Sequence, residues 1–296
     1  MKIVIGPYQN IKNNDPVTLT MGNFDGLHLG HQQLIERVLS YKDTKHAILT
    51  FDPHPSSVLR KQPFRTLTQR DDKIELFSRF ALDFAFIINF DMPFSHLSVE
   101  QFIQFLKDLS VVRLVIGRDA RFAYRGEGTI DHLRRYFMVD VVDDMLYNNT
   151  RVSTTYIKDF LASGDLGSAR KLLHRHYHIK GTVVHGNKVG HKLGFPTANI
   201  DYGQYYLPKM GVYYVRILID DKWHHAMANI GNNPTLNYSF EKRLEVYILD
   251  FDQNIYGKQI EIAFFHYLRQ ELKFKTKKDL IDQLKKDEVA VRNLTI

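Results

Sequence analysis

The period of the apolar residues changes once along the chain, and that change constrains the fold more than any single motif. From Lys2 to about residue 143, short strand-like runs (VTLTM, HAILTF, FAFIINF, VVRLVIG and MVDVVDD) alternate with segments of helical period. HQQLIERVLSYK places Leu34, Ile35, Val38 and Leu39 on one stripe, and LSVEQFIQFLKDL does the same with Val99, Phe102, Ile103 and Leu106. Strand and helix in alternation predict an α/β fold with a doubly wound parallel sheet. After about residue 180 the rhythm stops. GTVVHG, GVYYVRILI, AMANIG, RLEVYILDF and QIEIAFFHYL follow one another without helices, punctuated by Gly, Pro and Asn. That texture predicts a small antiparallel β-barrel or sandwich, closed by a terminal helix over KKDLIDQLKKDEVAVR. At 296 residues the chain is long enough for two such cores. The junction is expected in HRHYHIK, giving domains 1–175 and 176–296.

Composition narrows the chemistry. The chain has no cysteine, which excludes disulfides, thiolate metal sites and a thiol nucleophile and fits a reducing cytoplasm. The opening MKIVIGPYQNIKNNDP is too short in its apolar patch for a signal sequence, and no later segment approaches a membrane span. No membrane partner is expected. A formal net charge of +7 favours anionic ligands, but Lys and Arg are scattered among acids rather than massed in blocks. Phosphorylated small molecules fit this as well as nucleic acid does, and the sequence sets no oligomeric state.

In a doubly wound sheet, ligands bind where strands end and loops lead into helices. GNFDGLHLGH, Gly22 to His31, is such a loop. Gly22, Gly26 and Gly30 would let main-chain amides and the following helix N-terminus face a phosphate, with His28 and His31 adding side-chain donors. Transfer of a nucleotidyl group needs no covalent enzyme intermediate, only donors fixed where the α-phosphate gathers charge. A tight strand-to-helix turn with two surface histidines would read the same way. Downstream, RVSTT combines the Arg151 cation with hydroxyls at a helix start, as either an anion site or a plain cap.

The second half carries a different set. GHKLGFPTAN has no Walker lysine, yet Thr197 and Asn199 are hard oxygen donors two residues apart after Pro196, a pair suited to Mg²⁺ or to an ordinary strand entry. In RLEVYILD, alternation puts Leu244, Val246 and Ile248 on one face and Glu245 on the other with Tyr247. A carboxylate there is either a solvated strand residue or a general base.

These motifs together resemble the bacterial bifunctional riboflavin kinase and FAD synthetase (FMN adenylyltransferase) family. GNFDGLHLGHQQLI resembles its first signature, and TFDPHP, VIGRDARFAYRGEGT and RVSTTYIKDFL its other adenylyltransferase motifs. GTVVHGNKVGHKLGFPTANI, RLEVYILDF and YLRQELKF resemble its kinase motifs. The resemblance implies a Rossmann-like nucleotidyltransferase domain of the HxGH superfamily followed by a barrel kinase. The implied reactions are phosphorylation of riboflavin to FMN and adenylylation of FMN to FAD, with ATP as co-substrate, Mg²⁺ as metal, and FMN and FAD as product ligands.

By the same resemblance, His28 and His31 stabilise ATP phosphates, and Gly22, Asn23, Phe24, Asp25, Gly26 and Gly30 form the nucleotide loop. Arg151, Thr154 and Thr155 match positions that hold the departing pyrophosphate, and Asp119 lies in the flavin loop. Gly186, Gly190 and Gly194 bind nucleotide in the kinase, Thr197 and Asn199 hold the metal, Glu245 is the base, and Arg269 lies toward the flavin side. Four positions depart from the family pattern: Ala120 and Ala123 stand for Phe and Gly, Lys158 for Arg and His191 for Arg. Lys cannot reproduce the planar grip of Arg. Two other readings stay open: an enzyme that keeps one activity, with adenylyl transfer the one lost, and a flavin-responsive nucleic-acid-binding regulator.

Overall fold

The structure, a computed structural model, describes residues 1–60, 64–185, 195–232 and 242–294. It divides into two compact units, Met1–Thr154 and Thr155–Ile296.

The central strands of the first unit bury both faces, so they read as continuous apolar runs. Its elements are β1 (Lys2–Gly6), β2 (Val17–Met21), α1 (Leu29–Leu39), β3 (Lys45–Asp52), α2 (Pro55–Leu59), α3 (Arg70–Ser78), β4 (Phe84–Asn89), α4 (Met92–Ser95) and α5 (Val99–Asp108). Then come β5 (Val111–Gly117), α6 (Ile130–Arg134), β6 (Met138–Val142), and the hairpin of β7 (Leu146–Tyr147) and β8 (Thr150–Arg151). Six strands form one parallel sheet in the order β1-β4-β3-β2-β5-β6. Alternate residues feed two cores. Leu19, Leu49, Phe86 and Leu114 face α5, packing with its Phe102, Ile103, Phe105 and Leu106. Ile48, Ala85 and Val115 face the other way, toward Ile35 and Val38 of α1 and Leu76 and Phe77 of α3. The predicted stripe of α1 is confirmed, with Leu34 and Leu39 packed at its margin.

Strand order reverses between β2 and β5, so the loops leaving these two strands flank the switch point of the sheet. Among the elements the sequence pattern does not mark are β1 and α3. β1 lies at the sheet edge with Ile3 and Ile5 exposed, where the pattern suggests only a short apolar patch. α3 carries no clean apolar stripe; its local signal is a capping box between Gln69 and Asp72.

In the second unit, α7 (Thr154–Ser163, whose first residue belongs to the first unit) and α8 (Leu166–Leu173) precede β9 (Tyr177–Val184). His174 ends α8 in the left-handed conformation, φ 58°. β10 (Thr197–Asp201), β11 (Gly211–Ile219), β12 (Lys222–Asn232), β13 (Lys242–Ile248) and β14 (Gln259–Arg269) follow, then α9 (Lys277–Leu294). The strands close an antiparallel barrel in the order β10-β13-β12-β11-β14-β9, so the barrel alternative holds and the open sandwich does not. Tyr213, Val215, Ile217, Ala228, Ile230, Leu244 and Val246 are fully buried on the inward-facing positions. A second cluster on the outer face joins Tyr214 and Met227 to Val291 of α9, which explains why the terminal helix is amphipathic. Among the described residues no helix is long and apolar enough to cross a membrane.

Candidate active sites

The loop after β2 is shaped less by its glycines than by two buried anchors. Phe24 and Leu27 adopt left-handed φ values of 48° and 42°, beside Gly26 at 82°. A non-glycine residue there costs on the order of 1 kcal/mol or more. Both side chains are buried, Phe24 against Phe77 of α3, which offsets that cost. Only Gly26 among the three glycines takes a backbone that favours glycine; a Cβ on Gly22 or Gly30 would meet ordinary contacts at 3.6 and 3.4 Å.

Polar bonds then lock the loop. The Asp25 carboxylate accepts from the backbone N–H groups of Leu67 (2.7 Å) and Thr68 (3.0 Å). The Thr68 hydroxyl in turn accepts from Gly26 N–H (2.9 Å). Thr50 donates to the Asn23 carbonyl (3.2 Å), and Gly22 N–H donates to the Leu49 carbonyl (3.0 Å). Asp25 is therefore a clamp by its side chain, and its carbonyl accepts the Thr154 hydroxyl (2.9 Å). That bond brings the start of α7 to the Gly22–Gly30 loop. Thr155 is the next residue of the helix and counts with the second unit.

His28 caps α1. Its Nδ1 accepts from the His31 N–H (3.3 Å), so in the neutral ring the proton sits on Nε2. The two rings stack at 3.6 Å between centroids, and Phe24 meets His31 edge-on at 5.1 Å. Burial drives the His31 pKa well below the usual histidine value, and the charges of His28, Lys73 and Arg151 push the same way. His31 is thus neutral at pH 7. Its Nδ1 is buried with no hydrogen-bond partner among the described residues.

Asp119 and Arg151, assigned by resemblance to separate ligands, are brought together. Arg151 grips both oxygens of Asp119 at 2.5 and 2.7 Å and reaches Asp144 at 2.9 Å. The guanidinium hydrogen bonds hold the Asp119 carboxyl below its ordinary pKa. Nearby, Ala123 sits at φ 64° and ψ −171°, a backbone region that glycine occupies readily. The Ala for Gly departure therefore falls on a position with a physical demand for glycine. Ala120 packs at the margin of the core.

On the barrel, neighbouring strands line up three polar residues. Asn199 of β10 pairs with Glu245 of β13, which pairs with Asn229 of β12. Thr197 stands one pleat along, opposite Tyr247. Glu245 faces away from the barrel core, with its side chain 20% exposed and Arg243 at 3.3 Å. Burial raises its pKa; Arg243 opposes this and Glu271 adds to it. The Asn229 amide donates to Glu271 (3.3 Å), whose carboxylate lies over Gly231 so closely that a Cβ there would collide at 2.3 Å. The Asn229 side-chain oxygen is buried without a hydrogen-bond partner among the described residues. A cavity of about 360 Å³ opens beside Thr197, walled by Pro196, Val246, Ile248 and residues Phe251 to Tyr256. Oxygen donors in a row, one of them orphaned, fit a hard cation such as Mg²⁺.

Arg269 is committed elsewhere. It forms a two-pronged ion pair with the buried Asp287 of α9, at 2.9 and 2.6 Å. Gly186, Gly190, Gly194 and His191 lie outside the described residues. Sequence reasoning missed Asn229 and Lys73. The alternation of AMANIG could have marked the first; nothing local marks the second.

A parallel sheet with a histidine-bearing loop at its switch point defines a nucleotide-handling unit, joined in one chain to a barrel with its own carboxylate site. Comparison with known proteins agrees. The FAD synthetase family model matches residues 10–156 and the riboflavin kinase model residues 173–295. The bifunctional riboflavin kinase/FMN adenylyltransferase of Listeria monocytogenes is 41% identical, over 93% of this chain and 91% of its own. That of Bacillus subtilis is 35% identical, over 95% and 94%. A Streptococcus pneumoniae crystal structure titled as a macrolide-efflux protein matches with TM-score 0.88 and 29% identity, over 98% of this chain and 99% of that one. The chain belongs to the bifunctional riboflavin kinase/FMN adenylyltransferase family.

Proposed function

We propose that two separate residue sets perform the two reactions of this family. The chain phosphorylates riboflavin to FMN and adenylylates FMN to FAD, and it carries the domains for both. Our functional division is 1–175 for adenylyl transfer and 176–296 for the kinase; by packing, α8 and most of α7 group with the barrel.

In adenylyl transfer, an FMN phosphate oxygen attacks the α-phosphorus of ATP and pyrophosphate leaves. His28, with its proton on Nε2, and the neutral His31 donate where the α-phosphate charge grows. Gly22, Asn23, Phe24, Asp25, Gly26 and Gly30 shape the loop around the phosphates. Arg151, Thr154 and Thr155 receive the pyrophosphate, which requires Arg151 to exchange Asp119 for the ligand. Asp119 is then available to the flavin side.

In the kinase, the terminal ribityl hydroxyl of riboflavin attacks the γ-phosphorus, ADP leaves, and Glu245 takes the hydroxyl proton. Its raised pKa suits a base. Thr197 and Asn199 would hold Mg²⁺, which when bound offsets phosphate charge. The cavity beside Thr197 is where we seat the nucleotide, whose binding the family resemblance also assigns to Gly186, Gly190 and Gly194. Arg269, through Asp287, fixes α9 over the barrel and orients the flavin side indirectly. Nucleic acid is no partner in this reading, and the absence of cysteine fits work in the cytoplasm.

The stacked His28–His31 pair capping α1 at the switch point carries the adenylyl-transfer assignment most directly. Incubation of the purified chain with riboflavin, ATP and Mg²⁺, followed by chromatography of the flavins, is expected to give FMN first and FAD later. FMN without FAD would leave only the kinase standing.

A further inference from the structure

A lysine is buried beneath the nucleotide loop with no role in the account above. Lys73 of α3 is 4% exposed. Its ammonium donates to the Thr50 hydroxyl and the Phe51 carbonyl, both at 3.4 Å. Those bonds are long, and no carboxylate of the described residues reaches ion-pair distance. A buried ammonium with three donors and two weak acceptors is costly unless an anion completes it. Thr50 links it upward, because that hydroxyl donates to the Asn23 carbonyl in the nucleotide loop. Burial lowers the Lys73 pKa from the ordinary lysine value, and Asp25 and Asp52 partly offset that by favouring its charge. Lys73 is also one of the charges that hold His31 neutral.

A packing residue at this place would need no charge: the apolar side chains of Leu76 and Phe77 one turn on already seal α3 against the sheet. The position instead offers a fixed positive charge below the loop that faces phosphate. We propose that Lys73 is a positioning residue for adenylyl transfer, whose buried ammonium braces the Gly22–Gly26 loop through Thr50 and supplies positive charge opposite the ATP phosphates. This rests on the adenylyl-transfer reading of the loop. Charge and bracing act together: the ammonium is satisfied when the triphosphate arrives, and the loop it holds is already in place.

Three variants test it in the full chain, with FMN and ATP as substrates, thermal melting by circular dichroism as the measure of folding of both units, and riboflavin phosphorylation as the activity outside the altered unit. Lys73→Met removes charge and donors; Lys73→Gln keeps donors without charge; Lys73→Arg keeps charge. Met and Gln are expected to lower kcat for FAD formation roughly 10²-fold, the scale of losing one electrostatic donor, and Arg to recover at least about tenfold of it. The His31 ring titration, followed by NMR, is expected to move to higher pH in Met and Gln and to stay in Arg. If Met does not fold, Gln carries the test. Parental FAD formation in Gln would overturn the proposal, as would equal losses in all three variants with an unmoved His31 titration. Failure of the underlying reading looks different: His31→Ala would then leave FAD formation intact.

Discussion

The site on the sheet and the site on the barrel solve phosphate chemistry in opposite ways. The first is buried and pre-locked: His28 and His31 stack, Asp25 is clamped by residues 67 and 68, and burial, helped by the surrounding charges, keeps His31 neutral. The second is an outward row on a barrel wall, Asn199, Glu245 and Asn229, with a cavity lined in part by Thr197, one pleat along β10. One fixes donors around a charge that only redistributes. In the proposed reading the other accepts a proton, a role that its half-buried carboxylate suits. The difference teaches that a loop can be held rigid by buried anchors, whereas strand register alone is enough to bring a carboxylate and two amide side chains of separate strands into one row.

The comparison breaks most visibly at Glu245. Glu245→Gln keeps the shape off the barrel core and removes the base, so riboflavin phosphorylation should fall by roughly 10² to 10⁴ while supplied FMN is still adenylylated. A parental kinase rate in a continuous assay would remove Glu245 from the mechanism. Next comes His31→Ala, with FAD formation reduced by on the order of 10² to 10³ and riboflavin phosphorylation retained. Equal loss of both activities in a folded variant would deny the separation.

Smaller effects sharpen it. Asp119→Asn frees Arg151 for pyrophosphate, but the pair is half exposed and worth no more than about 1 kcal/mol. The ATP KM for adenylyl transfer should fall by no more than about fivefold, and a rise would mean that Asp119 itself serves the nucleotide. The buried, neutral His31 also links stability to pH. Its folded pKa is depressed, so below about 6.5 the unfolded chain binds the proton more readily and stability falls as pH drops toward the folded value. Melting curves should show that acid loss in the parent and less of it in His31→Ala. Last, Ala123→Gly relieves a left-handed alanine, and should raise stability by about 1 kcal/mol by denaturant titration.

The sequence made the two architectures legible because period 3.6 and period 2 each leave a mark over several residues, as in Leu34 to Leu39 and Leu244 to Ile248. It marked the histidine loop and the face of Glu245 for the same reason. It missed what depends on contacts between distant segments. Phe24 and Leu27 look like spacers in a glycine-rich loop until burial shows them as its anchors. Arg151 and Asp119 are 32 residues apart and meet only when β5 and β8 are placed. Asn229 becomes relevant only through register with Glu245.

The central claim is that the two reactions use separable residue sets on one chain. The most direct test mixes two variants. His31→Ala and Glu245→Gln, each supplied alone with riboflavin, ATP and Mg²⁺, should make almost no FAD, the first stopping at FMN and the second leaving riboflavin. Mixed in equal amounts, they should convert riboflavin through FMN to FAD. A mixture that forms no more FAD than either variant alone, with both variants folded, would contradict the account.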